Sequence, residues 1–593
     1  MFELLKKIED IFDGDGCFDY LKQIFDNDRL FSFDAFARTG ENCARFMREA
    51  GLCDVELMPV KADGKTPHGD WVIPKSWDAK SATLMSADGA ITFADYAQTP
   101  CSLIMYSAPT SEGGVTAGAV ILNEAKEADL PSLRRKIIVT SRPAAEFIEL
   151  ALESGAVGIV SDFIPLYRGV RDNLDEMQDV SRWDNGSFAK LNGQPLFGFS
   201  LSPSMGKQLR KMISENEHFT LHAEVDARIY DGETYTVSGK IKGETDDSIC
   251  IYGHLYEPGA HDNASGCAMI LELARCLNYA VNAGILPKPR LTISFAMGWE
   301  CAGSMAWITA KDRREVCGFV ADMVGTDTVD NSVMCIWHAP MSNMSFADRY
   351  IERAIEEYRA YKGENFPWIN KKFSIGTDNM LSDPYFHMPS AAMITEPALS
   401  YHSSMDTPAR IQKDVLARNG VIVGAYLFGL ASMSEAEAQS LKISTEEYIS
   451  KMIPDAADEF AACYKSQVLK NAHDAYNRFY PSANYQPRKT ERLIPADSAL
   501  ALIPTRKIAG CLTFDSRPDL ADSKWQPAWN GELNLPLFWA DGARNIWEIA
   551  VLSAVESGNS DKKAVTERAV RLKEYFEFLS NEGYVILTQE AAK

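Results

Sequence analysis

The segment 253–266, GHLYEPGAHDNASG, sets His254 and Asp262 eight residues apart in a stretch rich in Gly, within a chain that has only nine histidines. Both side chains carry lone pairs that can bind a divalent ion, and neither suffices alone. Further donors follow apolar runs. Glu300 closes LTISFAMGWE, Asp322 follows GFVA, and His402 stands in SYHSSMDTPARI just after AAMITE. Nitrogen and oxygen donors without thiolate suit zinc or a similar divalent ion. Five of them are too many for one tetrahedral ion with an open position. They suit two ions, each with one histidine and one terminal carboxylate, bridged by one aspartate; ions about 3.5–4 Å apart clamp a water and a carbonyl together. A single histidine after a strand is ordinarily structural. Five donors at successive strand ends are a pattern that packing alone does not require.

A scaffold must bring these residues together, and the intervening chain supplies one. SICIYGHL, RLTISFAMGWE and CGFVADMVG are nearly continuous apolar runs, with helical stretches such as CAMILELARCLNYAV between them. This alternation predicts an α/β domain over 205–440, a mostly parallel (mixed) sheet with helices on both faces. Ligands of such sheets sit beyond the carboxyl ends of the strands, where the five donors fall. Residues 1–70 read as helices that pack on this domain, because FDYLKQIFD and DAFARTGENCARFMREAGL carry apolar positions three and four apart. Residues 71–204 hold short β-branched runs between turns, a separate β-rich domain. Residues 441–524 read as a helical, then irregular connector. Residues 525–593 run helix, long helix, strand (RNIWEIAVLSAVESG, KAVTERAVRLKEYFEFLSNEG, YVILT), the order of a small winged-helix-like domain. Ser265 reads as the N-cap of the helix after Asp262.

The quoted segments resemble the zinc aminopeptidases of peptidase clan MH, which hold the bacterial leucyl aminopeptidases and the glutamate carboxypeptidase and transferrin receptor branch. The resemblance rests on GHL, GAHDNASG, GWECAGS, ADMVG and YHSSMDT, in that order, and covers roughly 205–435. It implies that His254, Asp262, Glu300, Asp322 and His402 ligate zinc, two ions per chain. It also implies hydrolysis of N-terminal residues from peptides by a metal-activated water. AGAVIL, LRRKIIVTS and ALESGAVGIVSDF resemble a protease-associated domain, which shapes substrate access in relatives.

Three positions depart from the family pattern. Tyr256 stands where an aspartate usually orients the first histidine, and His261 replaces the acid before the bridging Asp262. Where relatives have Glu-Glu, base then ligand, this chain has Trp299-Glu300, two residues nearer the following Gly-Ser. Glu300 is therefore expected to be base, ligand or both. Glu257 and His261 are the candidate substitutes, and Asp378 and Tyr401 candidates for the ligand surroundings or the substrate pocket. A rival reading is a peptidase-like binding or scaffold protein that kept the fold and lost catalysis.

Bulk properties narrow the partners. The net charge of −22 opposes nucleic acid and anionic membranes, both of which need a positive face. No run of about 18 uninterrupted apolar residues occurs, so no transmembrane helix is predicted. Residues 525–593 carry seven Lys or Arg against ten acids, and the long helix alternates signs, which points to packing or oligomerisation rather than DNA. The start lacks the apolar core of a signal peptide, and the twelve cysteines are scattered, so a cytoplasmic protein with buried thiols is expected. A peptide substrate and a possible homo-oligomer complete the expectation.

Overall fold

A computed structural model of the chain describes residues 1–126, 130–191, 193–310, 313–453, 459–481, 490, 492–559 and 561–589. Its centre is an eight-stranded mixed sheet in the spatial order 53–62, 232–241, 292–299, 248–255, 315–322, 390–396, 333–337 and 368–371. Strand Ser248–Leu255 pairs in parallel with Thr292–Trp299 and Glu315–Asp322, and the latter with Ser390–Glu396. The sheet is antiparallel at 53–62 with 232–241, at 232–241 with 292–299, and at 333–337 with 390–396. Every residue of Ser248–Leu255 is buried, as expected for a central strand covered on both faces.

Helix Ala264–Asn282 lies against these strands because Gly266 permits close approach. A Cβ there would stand 2.4 Å from the carbonyl oxygen of Ala321. The cap of this helix is Asn263, whose side chain accepts from Gly266 N, rather than Ser265. The Ser265 hydroxyl instead donates to His261 O and accepts from Val324 N, tying two strand-end loops together. Helix Lys413–Ser432 is long and apolar enough to span a membrane by composition, and 83% of its apolar window is buried inside the fold.

Two expected boundaries move. The N-terminal helices end at Glu49, and Cys53–Ala62 is an edge strand of the central sheet. The β-rich insert extends past 204 to Tyr230, since Thr220–Tyr230 pairs with Ser76–Ser86 and Val115–Ile121 in a seven-stranded sheet. Periodicity reports which face of a strand is buried, not which of two sheets it joins, and 220–241 is two long strands in succession with one in each. At the carboxyl end, helices Gly531–Phe538, Ile546–Glu556 and Lys562–Asn581 pack together. The closing strand Val585–Thr588 pairs with Ile503–Arg506, which lies ahead of the expected boundary at 525. Tyr575 and Phe576 are buried in a core that continues through the connector helices to Met341 and Met344. All twelve cysteines are unpaired, and only Cys53 is exposed.

Candidate metal centre

The parallel strands end together, and their ends carry the donors. His254 Nε2 lies 3.3 Å from Asp322 Oδ1 and 3.5 Å from Asp262 Oδ1, and His402 Nε2 lies 3.3 Å from Asp262 Oδ2. Asp262 thus stands between the two histidines. Glu300 faces the same cavity of about 570 Å³, which Glu257, Tyr401, Trp337 and Glu396 also line. All five expected ligands therefore meet at one place.

The loops are held by buried carboxylates. Asp406 accepts from the backbone N–H of His261 at 2.7 Å and of Asp262 at 3.0 Å. Gly259 makes room for this, because a Cβ there would lie 2.3 Å from Asp406 Oδ2. Asp378 accepts from Cys301 N at 2.8 Å and Ser304 Oγ at 2.6 Å, fixing the turn that follows Glu300. It is buried and does not line the cavity, so it positions Glu300 rather than meeting substrate. Burial, with Asp322 adding to it, lifts the Asp378 carboxyl to about 6. The loop carrying His402 is fixed by Asp330, which pairs with Arg410 at 2.8 Å and accepts from Ser400 N, and by the Arg171 guanidinium, which donates to Tyr401 O at 3.0 Å.

The departures from the family pattern have distinct outcomes. Tyr256 turns its hydroxyl to Tyr235 O at 2.7 Å and packs against Phe36 and Trp299. His254 Nδ1 is consequently buried without a hydrogen-bond partner among the described residues. The main chain is secured instead by Asp28, which accepts from Tyr256 N at 2.9 Å. His261 does not reach the site. Its Nε2 faces Thr395 and its Nδ1 accepts from Gly325 N, and burial lowers its pKa, as in a neutral structural histidine. Glu257 does reach it, and accepts from Asn185 Nδ2 at 3.0 Å. The Tyr401 ring stacks on the His402 imidazole with centroids 3.8 Å apart.

Sequence reasoning missed Asp406, Asn185, Trp183 and Trp529. Trp183 flanks His402 with ring centroids 5.0 Å apart, and its backbone N–H donates to His402 O. Trp529 comes from the carboxyl-terminal region to line the cavity and meets Trp71 edge-on. The signal that could have found Asp406 is its place in the His402 segment, SYHSSMDTPARI. The others lie far from any motif.

The donor set fits a divalent cation. Five carboxylates, Glu257, Asp262, Glu300, Asp322 and Glu396, face a cavity that no Lys or Arg lines among the described residues, and of these Glu396 is paired with Lys371. Asp322 Oδ1 is buried without a hydrogen-bond donor. Burial lifts the Glu300 carboxyl to about 8, with His254 opposing and Asp378, Asp322 and Asp262 reinforcing. So much converging negative charge out of water calls for a cation.

Comparison with known proteins agrees. Residues 236–427, which contain all five expected ligands, match Peptidase family M28. A Clostridium acetobutylicum structure provisionally described as a peptidase is similar over 98% of both chains, at 14% identity and TM-score 0.51. A zinc aminopeptidase from Bacillus subtilis is similar over 72% of this chain and 98% of its own, at 19% identity and TM-score 0.52. At these identities the likeness concerns the fold. No curated protein matches the sequence. Family match, strand order and donor geometry coincide over the same segment: residues 236–427 match Peptidase family M28, and the fold is similar to that of a zinc aminopeptidase.

Proposed function

We propose that this chain is a zinc-dependent exopeptidase of aminopeptidase type. The observation that carries the reading is the convergence of His254, Asp262, Asp322 and His402, with Glu300 beside them, within the M28 segment. A bound divalent ion would supply a Lewis acid that polarises the scissile carbonyl and acidifies water. Glu300, which lines the same cavity, would be the group to carry a proton from water to the leaving amine. The carboxylates that would hold a divalent ion also suit a substrate's free α-ammonium group, which favours removal of terminal residues. Tyr167 and Asn185 from the insert and Trp529 from the carboxyl-terminal region wall the cavity, which supports a short, enclosed substrate end.

The scaffold alternative draws on the missing acid before Glu300. Glu257 supplies another carboxylate in the cavity, so the loss is not a loss of acid groups. Hydrolysis of a panel of aminoacyl anilides, each with and without an N-acetyl block, tests the reading. Zinc-loaded protein should cleave the free-amine members only, and a chelator should abolish turnover. Zinc-loaded protein that cleaves none of them, or cleaves blocked ones equally, sinks it.

A further inference from the structure

We propose that Glu257 is an additional metal ligand in this chain, and that it makes the two ion positions unequal. The inference rests on the metal-centre reading above, and the family resemblance assigns no ligand to position 257. Donor atoms of His254, Glu257 and Asp262 all lie within 4.8 Å of one another. Asp322 Oδ1 stands 3.3 Å from His254 Nε2. One imidazole nitrogen and two carboxylates therefore converge on a single position, with Asp322 beside the imidazole.

The second position is poorer. His402 Nε2 and Asp262 Oδ2 face each other at 3.3 Å, and Glu300, which lines the same cavity, stands outside the group of His254, Glu257 and Asp262.

The sequence explains why Glu257 is available. Only seven residues separate His254 from Asp262, so the connecting loop cannot leave the sheet edge and its one acid stays at the cavity. Asn185 Nδ2 donates to Glu257 Oε1 at 3.0 Å. An amide partner orients a carboxylate without neutralising it, whereas Lys or Arg would compete with the ion for its charge. Asn185 belongs to the insert, which therefore acts on the metal position as well as on substrate access.

Zinc titration of the chelator-stripped full chain, read against a chromophoric chelator, tests the proposal. Wild type should take up two ions in two steps that differ in affinity by about tenfold or more. Glu257→Gln should weaken the tighter step by about 10–100-fold and leave the weaker one, the range typical when a metal site loses a supporting group. His402→Ala should lose the weaker step and keep the tighter. Asn185→Ala should weaken the tighter step less than Glu257→Gln does. Should Glu257→Gln fail to fold, Glu257→Asp reads the same step with a shortened side chain. In zinc-loaded wild type at one equivalent, X-ray absorption should give one nitrogen and at least two carboxylate oxygen donors. Two zinc steps that Glu257→Gln leaves within threefold of wild type overturn the proposal while leaving the metallopeptidase reading intact. A wild type that binds no zinc overturns both.

Discussion

Glu300 holds a place that relatives fill with two acids, and its contacts divide its duties. Asp378 fixes the turn behind it through Cys301 N and Ser304, so the carboxylate is aimed by the backbone and need not be clamped by an ion. Glu300→Gln should lower kcat by about 10²–10⁴-fold, the usual worth of a general base, while the tighter zinc stays bound. Parallel kinetics and metal analysis check this; loss of that zinc with the activity would make Glu300 a ligand instead. Asp28 gives a second prediction. Burial raises its carboxyl from the usual 3.8 to about 7, against the opposing hydrogen bonds from Thr39 and Tyr256. A raised acid stabilises the fold fully below its unfolded pKa, and that contribution is lost as pH climbs through the folded value. Between pH 4 and 7 the wild type should thus lose on the order of 2–4 kcal/mol that Asp28→Asn does not. Urea unfolding of both proteins at pH 5 and 8 measures the difference. Equal pH dependence would refute it.

The loops at the sheet edge are elements in their own right, each tied down by one buried acid. Asp406 binds two consecutive N–H groups, those of His261 and Asp262, and so sets where the bridging carboxylate points. Asp406→Asn keeps the shape but offers a single acceptor, leaving a buried N–H unpaired at a cost of about 1–3 kcal/mol. Both thermal stability and zinc affinity should fall, and a normal zinc titration in that variant would show that the loop needs no such anchor. The five donors were legible in the sequence because each ends or follows a strand whose apolar run is plain, and strand ends converge in α/β sheets. His261 misled because its neighbours form the motif, whereas its own ring turns back to Thr395 and Gly325. Asn185 and Trp529 were not legible, since nothing local records contacts made across domains. That 220–230 belongs to the insert was not legible, for the same reason.

At the scale of the whole molecule, two buried acids of the peptidase half hold the carboxyl-terminal half. Asp383 receives both guanidinium arms of Arg506 and the N–H of Gly510, and Asp70 accepts from Thr513 N, Phe514 N and the Tyr584 hydroxyl. Removing one partner of a buried pair leaves the other uncompensated, so Asp383→Ala should cost about 3–5 kcal/mol. Calorimetry should show an early transition for the carboxyl-terminal region; an unchanged thermogram would mean that its apolar core alone holds it. For 525–593 we expect packing rather than nucleic-acid binding, so titration with labelled duplex at low salt should show no saturable binding.

Trp529, far along the chain, walls a cavity whose ligands begin at His254. A ribosome therefore finishes the metal-binding strands well before it delivers the residue that encloses them. During that interval the cavity stands open on one side, without the wall that Trp529 supplies. Order of synthesis thus completes the enclosure last, after the strands that carry the candidate ligands.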